Sequence, residues 1–127
     1  MSPDELAAAL CALRTGQVVA CATETLFALS ADARSQVAVE RVCALKGRDA
    51  SQPIAVLLPD AAAATQVSSG LPALAERLAA RYWPGPLTLL VPALPNTPRA
   101  LTRDGKIGVR VPGPSPALAL VRAFGGA

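Results

Sequence analysis

Polar side chains follow directly on an apolar run near the N-terminus. Residues Val18–Cys21 are apolar throughout, and Thr23, Glu24 and Thr25 come soon after them. Ligands of open α/β sheets bind at the carboxyl ends of strands, where hydroxyl and carboxylate groups can reach them. The same triplet is also typical of a helix cap followed by a polar first turn. The spacing leaves both interpretations open.

Two cations stand together in Lys46-Gly47-Arg48, at the end of a predicted helix. Cations there offset the negative end of the helix dipole and contribute about 0.3–1 kcal/mol each. The alternative is an anion clamp, because a compact ammonium and a planar guanidinium together suit a polyphosphate. Glu24 is a candidate ion-pair partner for either cation. The spacing by itself favours the dipole interpretation.

Arg110 lies in an alternating apolar segment. Ile107, Val109 and Val111 share one face of the predicted strand, whereas Gly108 and Arg110 share the other. A face made of glycine and arginine borders either water or a polar cavity. Solvent exposure and a ligand-binding role are therefore both open for this arginine.

The composition excludes several kinds of chemistry. The 127 residues contain no histidine, which excludes histidine general bases and triads and argues against most zinc sites. The sequence also lacks the glycine-rich phosphate-loop patterns. A net charge of +3 is compatible with an anionic substrate or with RNA. The cysteines at 11, 21 and 43 have apolar neighbours and are expected to be reduced core residues.

Alternating helices and strands must position these side chains, which predicts an α/β fold in a single domain spanning residues 1–127. Without a long apolar run or a basic leader, the chain is expected to be cytoplasmic, with no membrane partner. Trp83-Pro84-Gly85-Pro86 is interpreted as a rigid turn with Trp83 as a core anchor. Helices are predicted over 3–15 and 71–82, from the N-cap Ser35 to Lys46 with Gly47 as its end, and from the N-cap Ser115 to Phe124. A short alanine-rich helix is predicted to be capped by Asp60. The predicted strands are 18–21, 54–58, 87–91 and 107–111, and 92–106 is a loop.

Five segments, in this order, resemble the YrdC-like threonylcarbamoyl-adenylate synthase family. They read GQVVACATETLFAL, AVERVCALKGRDASQPIAVLL, RYWPGPLTLLVPA, TPRALT and IGVRVPGPSPALALVRAFGG. The resemblance implies an open, twisted, mixed α/β sheet with flanking helices around a concave, positively charged cavity. The family's second signature, S-x-N, would lie beyond Gly126. The resemblance therefore implies a chain truncated before that motif, without the C-terminal strand and helix.

The family's reaction is nucleotidyl transfer. It converts L-threonine, bicarbonate and ATP to threonylcarbamoyl-adenylate and diphosphate, with Mg²⁺ implied by the ATP. A downstream transferase complex then uses the product to make threonylcarbamoyladenosine (t6A) in tRNA. Such a reaction requires positioning and neutralisation of phosphate charge more than acid–base groups, so no catalytic residue is assigned.

The resemblance also implies the threonine site. Thr25 and Arg110 match the family's contacts to L-threonine, and Arg110 is expected to face the carboxylate. Thr23 and Glu24 are expected in the wall of the same pocket. The segment 26–29 is then expected to return to the core.

For the nucleotide, Lys46 and Arg48 match the family's K-x-R half of the site for ATP and bicarbonate. Gln52 stands where an Asn of the ATP site is frequent, and Leu57 stands where many members have a histidine that faces threonine. Two alternatives stay open beside the synthase. One is a YrdC-like module that binds tRNA or double-stranded RNA without catalysis, and the other is a carbamoyl-adenylate domain of the hydrogenase-maturation type.

Overall fold

The protein forms a mixed α/β fold, seen in a computed structural model that describes residues 2–47 and 54–126. Arg48 and Gln52, two of the expected ATP-site residues, lie outside the described residues. None of the helices described is long and apolar enough to cross a membrane. The elements in chain order are α1 (Pro3–Arg14), β1 (Val19–Ala22), β2 (Phe27–Ser30), α2 (Gln36–Lys46), β3 (Val56–Leu57), a 3₁₀ helix (Ala61–Gln66), α3 (Ala73–Tyr82), β4 (Leu89–Pro92), a second 3₁₀ turn (Arg99–Leu101), β5 (Thr102–Arg103), β6 (Lys106–Arg110) and α4 (Pro116–Phe124).

Local signals set most helix boundaries. Ser35 and Ser115 cap α2 and α4 as predicted, and Asp60 caps the short alanine-rich helix, which is of the 3₁₀ type. Each cap side chain accepts a hydrogen bond from a backbone N–H in the first helical turn, and this satisfies a donor that the helix leaves free. Gly47 ends α2 in the left-handed conformation, with φ of 65°.

The strands of the described residues form two separate sheets. β1 and β2 make an antiparallel hairpin, whereas β3, β6 and β4 lie in that order in a larger sheet that β5 joins by pairing with β6. Within it, β3 runs parallel to β6, and β4 and β5 run antiparallel to it. The core of the larger sheet includes Ile107, Val109 and Val111, which confirms the predicted apolar face of β6.

The prediction for the opposite face of β6 needs correction. Gly108 is buried. A methyl group there would lie 3.2 Å from Thr88 Cγ2 and 3.7 Å from Leu90 Cδ2, so neighbouring side chains occupy the space beside it. On this face of β6, Lys106 is exposed and Arg110 is partly exposed.

The prediction for residues 18–29 was wrong in two respects. The uniformly apolar run predicts a strand covered on both faces, but Cys21 is the one buried residue of β1. Segment 26–29 does not return to the core: it begins β2, and Leu26 and Phe27 are 77% and 82% exposed. The physical reason is that the chain turns back sharply on β1, so the hairpin tip projects beyond the helices that pack against it.

Other differences are smaller. The predicted loop 92–106 contains the second 3₁₀ turn and β5, and β3 is limited to two residues. Cys11 is exposed and Cys43 only half-buried, so the core assignment holds for Cys21 alone. Trp83 packs partly buried against the core, where its Nε1 donates a hydrogen bond to Leu87 O over 2.7 Å.

Candidate functional site

The turn between β1 and β2 is organised by one hydroxyl group. Thr23 Oγ1 donates to Leu26 O over 2.7 Å and accepts from the backbone N–H groups of Thr25 and Leu26 at 3.2 and 3.0 Å. The backbone N–H of Thr23 also donates to Leu26 O, over 2.8 Å. A strand follows this turn, not a helix, so the helix-cap interpretation of the triplet was wrong.

Thr25 presents its hydroxyl group beside Thr23. The two hydroxyl oxygens lie 3.0 Å apart. Either hydroxyl can donate across this contact, and Thr23 also has Leu26 O as an acceptor and two backbone N–H groups as donors. In both arrangements Thr25 keeps at least one lone pair that can accept a hydrogen bond from a ligand.

Glu24 pairs with Arg110. The sequence suggested Lys46 or Arg48 as its partner; Lys46 makes no such pair within the described residues, and Arg48 lies outside them. Its Oε1 accepts from Arg110 Nη2, and its Oε2 accepts from the backbone N–H of Gly113. The two side chains are only 21% and 13% exposed, for Glu24 and Arg110 in that order. The pair therefore lies in a partly desolvated place, where charge-assisted hydrogen bonds are strengthened.

Arg110 is held at a further point. Its Nε donates to the backbone O of Gly85 over 2.9 Å. Burial lowers the pKa of the Arg110 guanidinium, which nevertheless remains charged at neutral pH because arginine starts from a very high value. Sequence reasoning treated Gly85 and Gly113 only as turn residues. The feature of the sequence that could have identified them is their position in glycine–proline turns next to the ends of predicted strands.

Lys46 ends α2 and is exposed. Within the described part of the chain it makes no hydrogen bond or ion pair, so its charge is uncompensated. Its charge at the C-terminus of α2 interacts favourably with the helix dipole, and its side chain also borders the cavity described next. The dipole and ligand interpretations are therefore compatible for Lys46.

One cavity brings these groups together. It has a volume of about 330 Å³ and is bordered by Thr23, Thr25, Lys46 and Arg110. This is within the range of small-molecule sites. The rest of its lining is mostly apolar and comes from the hairpin, α1, α2, β3 and α4, including Leu57. The arrangement offers one hydroxyl acceptor, one anchored guanidinium and one free ammonium, as suits a small ligand that carries both positive and negative groups.

The fold is that of an α/β domain with a cavity suited to a small charged ligand, and comparison with known proteins gives the family. The Sua5/YciO/YrdC family model, described as telomere recombination, matches residues 11–127. The chain belongs to this family. It is 35% identical over 123 residues to threonylcarbamoyl-AMP synthase of Bacillus subtilis, covering 95% of this chain and 36% of that protein. The corresponding protein of Halorhodospira halophila is 38% identical over 117 residues, with 91% and 61% covered.

Solved structures agree with the fold. Pyrococcus abyssi Sua5 complexed with L-threonine superposes with a TM-score of 0.86 at 34% identity, covering 95% of this chain and 35% of that chain. E. coli YciO gives a TM-score of 0.80 at 26% identity, covering 98% and 61%. The chain thus spans between about a third and two thirds of the length of these relatives.

Proposed function

We propose that this chain carries the activity of a threonylcarbamoyl-AMP synthase. The observation that supports it best is the meeting of Thr25 and Arg110 at one cavity, although they are far apart in sequence. A hydroxyl acceptor and a guanidinium match the amino and carboxylate groups of a free amino acid. The similarity to a Sua5 that was solved with L-threonine gives the amino acid as threonine.

In this proposal Arg110 binds the threonine carboxylate. A guanidinium has five N–H donors, of which one is used by Gly85 O and one by Glu24, so the others are available to a ligand. Thr25 accepts a hydrogen bond from the amino group. Thr23 and Glu24 form the supporting wall, since they hold the turn and the guanidinium.

ATP is proposed to bind beside threonine, with its phosphates near Lys46. Arg48 and Gln52 would complete this part of the site. Among the described residues no group of three or more His, Cys, Asp or Glu side chains is arranged to hold a metal ion. We therefore assign Mg²⁺ to the phosphates of ATP, as part of the nucleotide substrate.

The proposed reaction has two steps. The ammonium group of threonine loses a proton to the solvent, the resulting amine attacks the carbon of bicarbonate, and loss of water leaves a carbamate. A carbamate oxygen then attacks the α-phosphorus of ATP, and the bond from that phosphorus to the bridging oxygen breaks, so that pyrophosphate leaves. The residues named above contribute by orienting both substrates and by neutralising phosphate charge.

The product is a reactive mixed anhydride, and we propose that a t6A transferase complex consumes it to modify tRNA. This assignment places the protein in the cytoplasm, where tRNA and ATP are available. The net charge of +3 is also compatible with the alternative function, which is direct binding of tRNA or double-stranded RNA.

The test is pyrophosphate release from ATP by the purified protein, measured with and without threonine and bicarbonate. Release that requires both supports the proposal, and the variant Arg110→Leu should abolish it. Release with carbamoyl phosphate in place of threonine would instead indicate the hydrogenase-maturation type of domain. Binding of tRNA without any release would indicate an RNA-binding module.

A further inference from the structure

The two groups that are proposed to hold threonine lie on different sheets. Thr25 is in the turn of the β1–β2 hairpin, and Arg110 is the last residue of β6 in the larger sheet. Among the described strands, no strand of the hairpin pairs with a strand of the larger sheet. Backbone hydrogen bonds between strands therefore do not fix the distance between the two groups, and another contact must do so.

Glu24 supplies such a contact. It is next to Thr25 in the hairpin turn, and its two carboxylate oxygens reach the guanidinium of Arg110 and the backbone N–H of Gly113. Gly113 leaves room for this carboxylate, because a methyl group there would lie 2.5 Å from Glu24 Oε2. Gly85 O holds Arg110 from the other side.

We propose that Glu24 is a positioning residue, which sets the place of the Arg110 guanidinium relative to Thr25 and so determines the affinity for the amino acid. The inference rests on the proposed function.

A second consequence concerns charge. Because Glu24 neutralises Arg110, Lys46 is the cation of the described cavity lining that remains uncompensated. Arg110 is thereby suited to a single carboxylate, and Lys46 to the more highly charged phosphates.

Two variants distinguish the effect of the position of the Arg110 guanidinium from the effect of the Glu24 charge. Glu24→Gln keeps the shape but removes the charge, and this has two opposing effects: Arg110 is freed, and the cavity becomes more positive. Gly113→Ala keeps the charge but pushes the carboxylate away. If positioning dominates, both variants weaken threonine binding by about 10- to 100-fold, the scale expected for loss of a charge-assisted hydrogen bond to the carboxylate. Tighter threonine binding by Glu24→Gln, or unchanged binding by both variants, would overturn the proposal.

The measurement is calorimetric binding of L-threonine and, separately, of ATP to the wild-type protein and the variants. ATP affinity should change by less than about threefold, because Glu24 does not hold Lys46. Glu40→Gln is the matched control: Glu40 is exposed on α2, and its carboxylate accepts a hydrogen bond from Gln36. A parallel loss of threonine and ATP binding in both variants, with a lowered melting temperature, would indicate a merely structural role and overturn the proposal.

A measurement made without ligand tests the positioning role of Glu24 separately from the proposed function. The Arg110 Nε–H should give a protected NMR signal in the wild-type protein, and that signal should exchange with water at least about tenfold faster in Glu24→Gln. If the signal behaves so but wild-type protein binds no threonine, the positioning contact stands and the proposed function fails. If wild-type protein binds threonine and the signal does not change in the variant, the positioning inference alone fails.

Discussion

The hydroxyl oxygens of Thr23 and Thr25 lie 3.0 Å apart at the tip of the β1–β2 hairpin. Thr23 donates to Leu26 O and accepts from the backbone N–H groups of Thr25 and Leu26, whereas Thr25 makes no other side-chain hydrogen bond among the described residues than the one to Thr23. One threonine thus builds the turn, and the other presents its lone pairs to the cavity. This division of roles predicts different consequences when each is replaced.

Replacing Thr23 by valine should destabilise the protein. The change removes the acceptor of two backbone N–H groups and the donor to Leu26 O, so we expect a loss of about 1–3 kcal/mol in the free energy of unfolding. Thr23→Ser should lose less than half of that. The measurement is urea denaturation. Thr65→Val is the matched control, since the exposed Thr65 hydroxyl donates only to Ala62 O, and an equal loss in both variants would contradict the assigned role.

Replacing Thr25 by valine should weaken threonine binding without affecting stability. The side chain is exposed, and its hydroxyl makes a single hydrogen bond, to Thr23. Loss of a hydrogen bond to a ligand ammonium is expected to reduce affinity by about tenfold or more. Calorimetric titration with L-threonine measures this. Serine at the same position should bind nearly as well as the wild-type residue, and a serine variant as weak as the valine variant would argue against the hydroxyl as the ligand.

Replacing Lys46 by glutamine should raise the KM for ATP and leave the KM for threonine unchanged. Its ammonium borders the cavity and is not compensated by a described residue. Because Lys46 is exposed, the effect should shrink as salt rises from about 0.05 to 0.5 M, where screening becomes strong. Steady-state pyrophosphate release measures both constants. Lys106→Gln is the control, since Lys106 is exposed at the start of β6 and does not border the cavity. A rise in the KM for threonine alone would contradict the assignment.

The three cysteines should react with iodoacetamide in the order Cys11, Cys43, Cys21. Cys11 is exposed, Cys43 is half-buried and Cys21 is buried. Burial also raises the pKa of the Cys21 thiol, so the reactive thiolate is scarcer there at any pH below that raised pKa. Mass spectrometry of timed samples at pH 8 measures the order. Cys21 is buried in a cluster with Leu13 of α1 and Leu120 of α4, and alkylation of Cys21 before Cys11 would contradict this packing.

Features that depend on neighbouring residues could be predicted from the sequence. The caps at Ser35, Asp60 and Ser115 were correct, as was the end of α2 at Gly47. Such contacts join residues only a few positions apart, so the chain can form them wherever the segment lies. The apolar face of β6 was correct for a similar reason, because side-chain alternation along a strand is local.

The partner of Glu24 could not be predicted this way. The sequence offered Lys46 and Arg48 as candidates, whereas the observed partner, Arg110, is 86 positions away. Only the arrangement of the two sheets brings them together. The exposure of Leu26 and Phe27 likewise depends on which elements cover the hairpin tip, and no helix among the described residues does so. Residue types and spacing thus determined the helices, the α/β class and the candidate residues. Tertiary structure decided which side chains meet. The reason is that an ion pair or a buried face requires residues that are far apart in sequence to lie close together, and only folding brings them there.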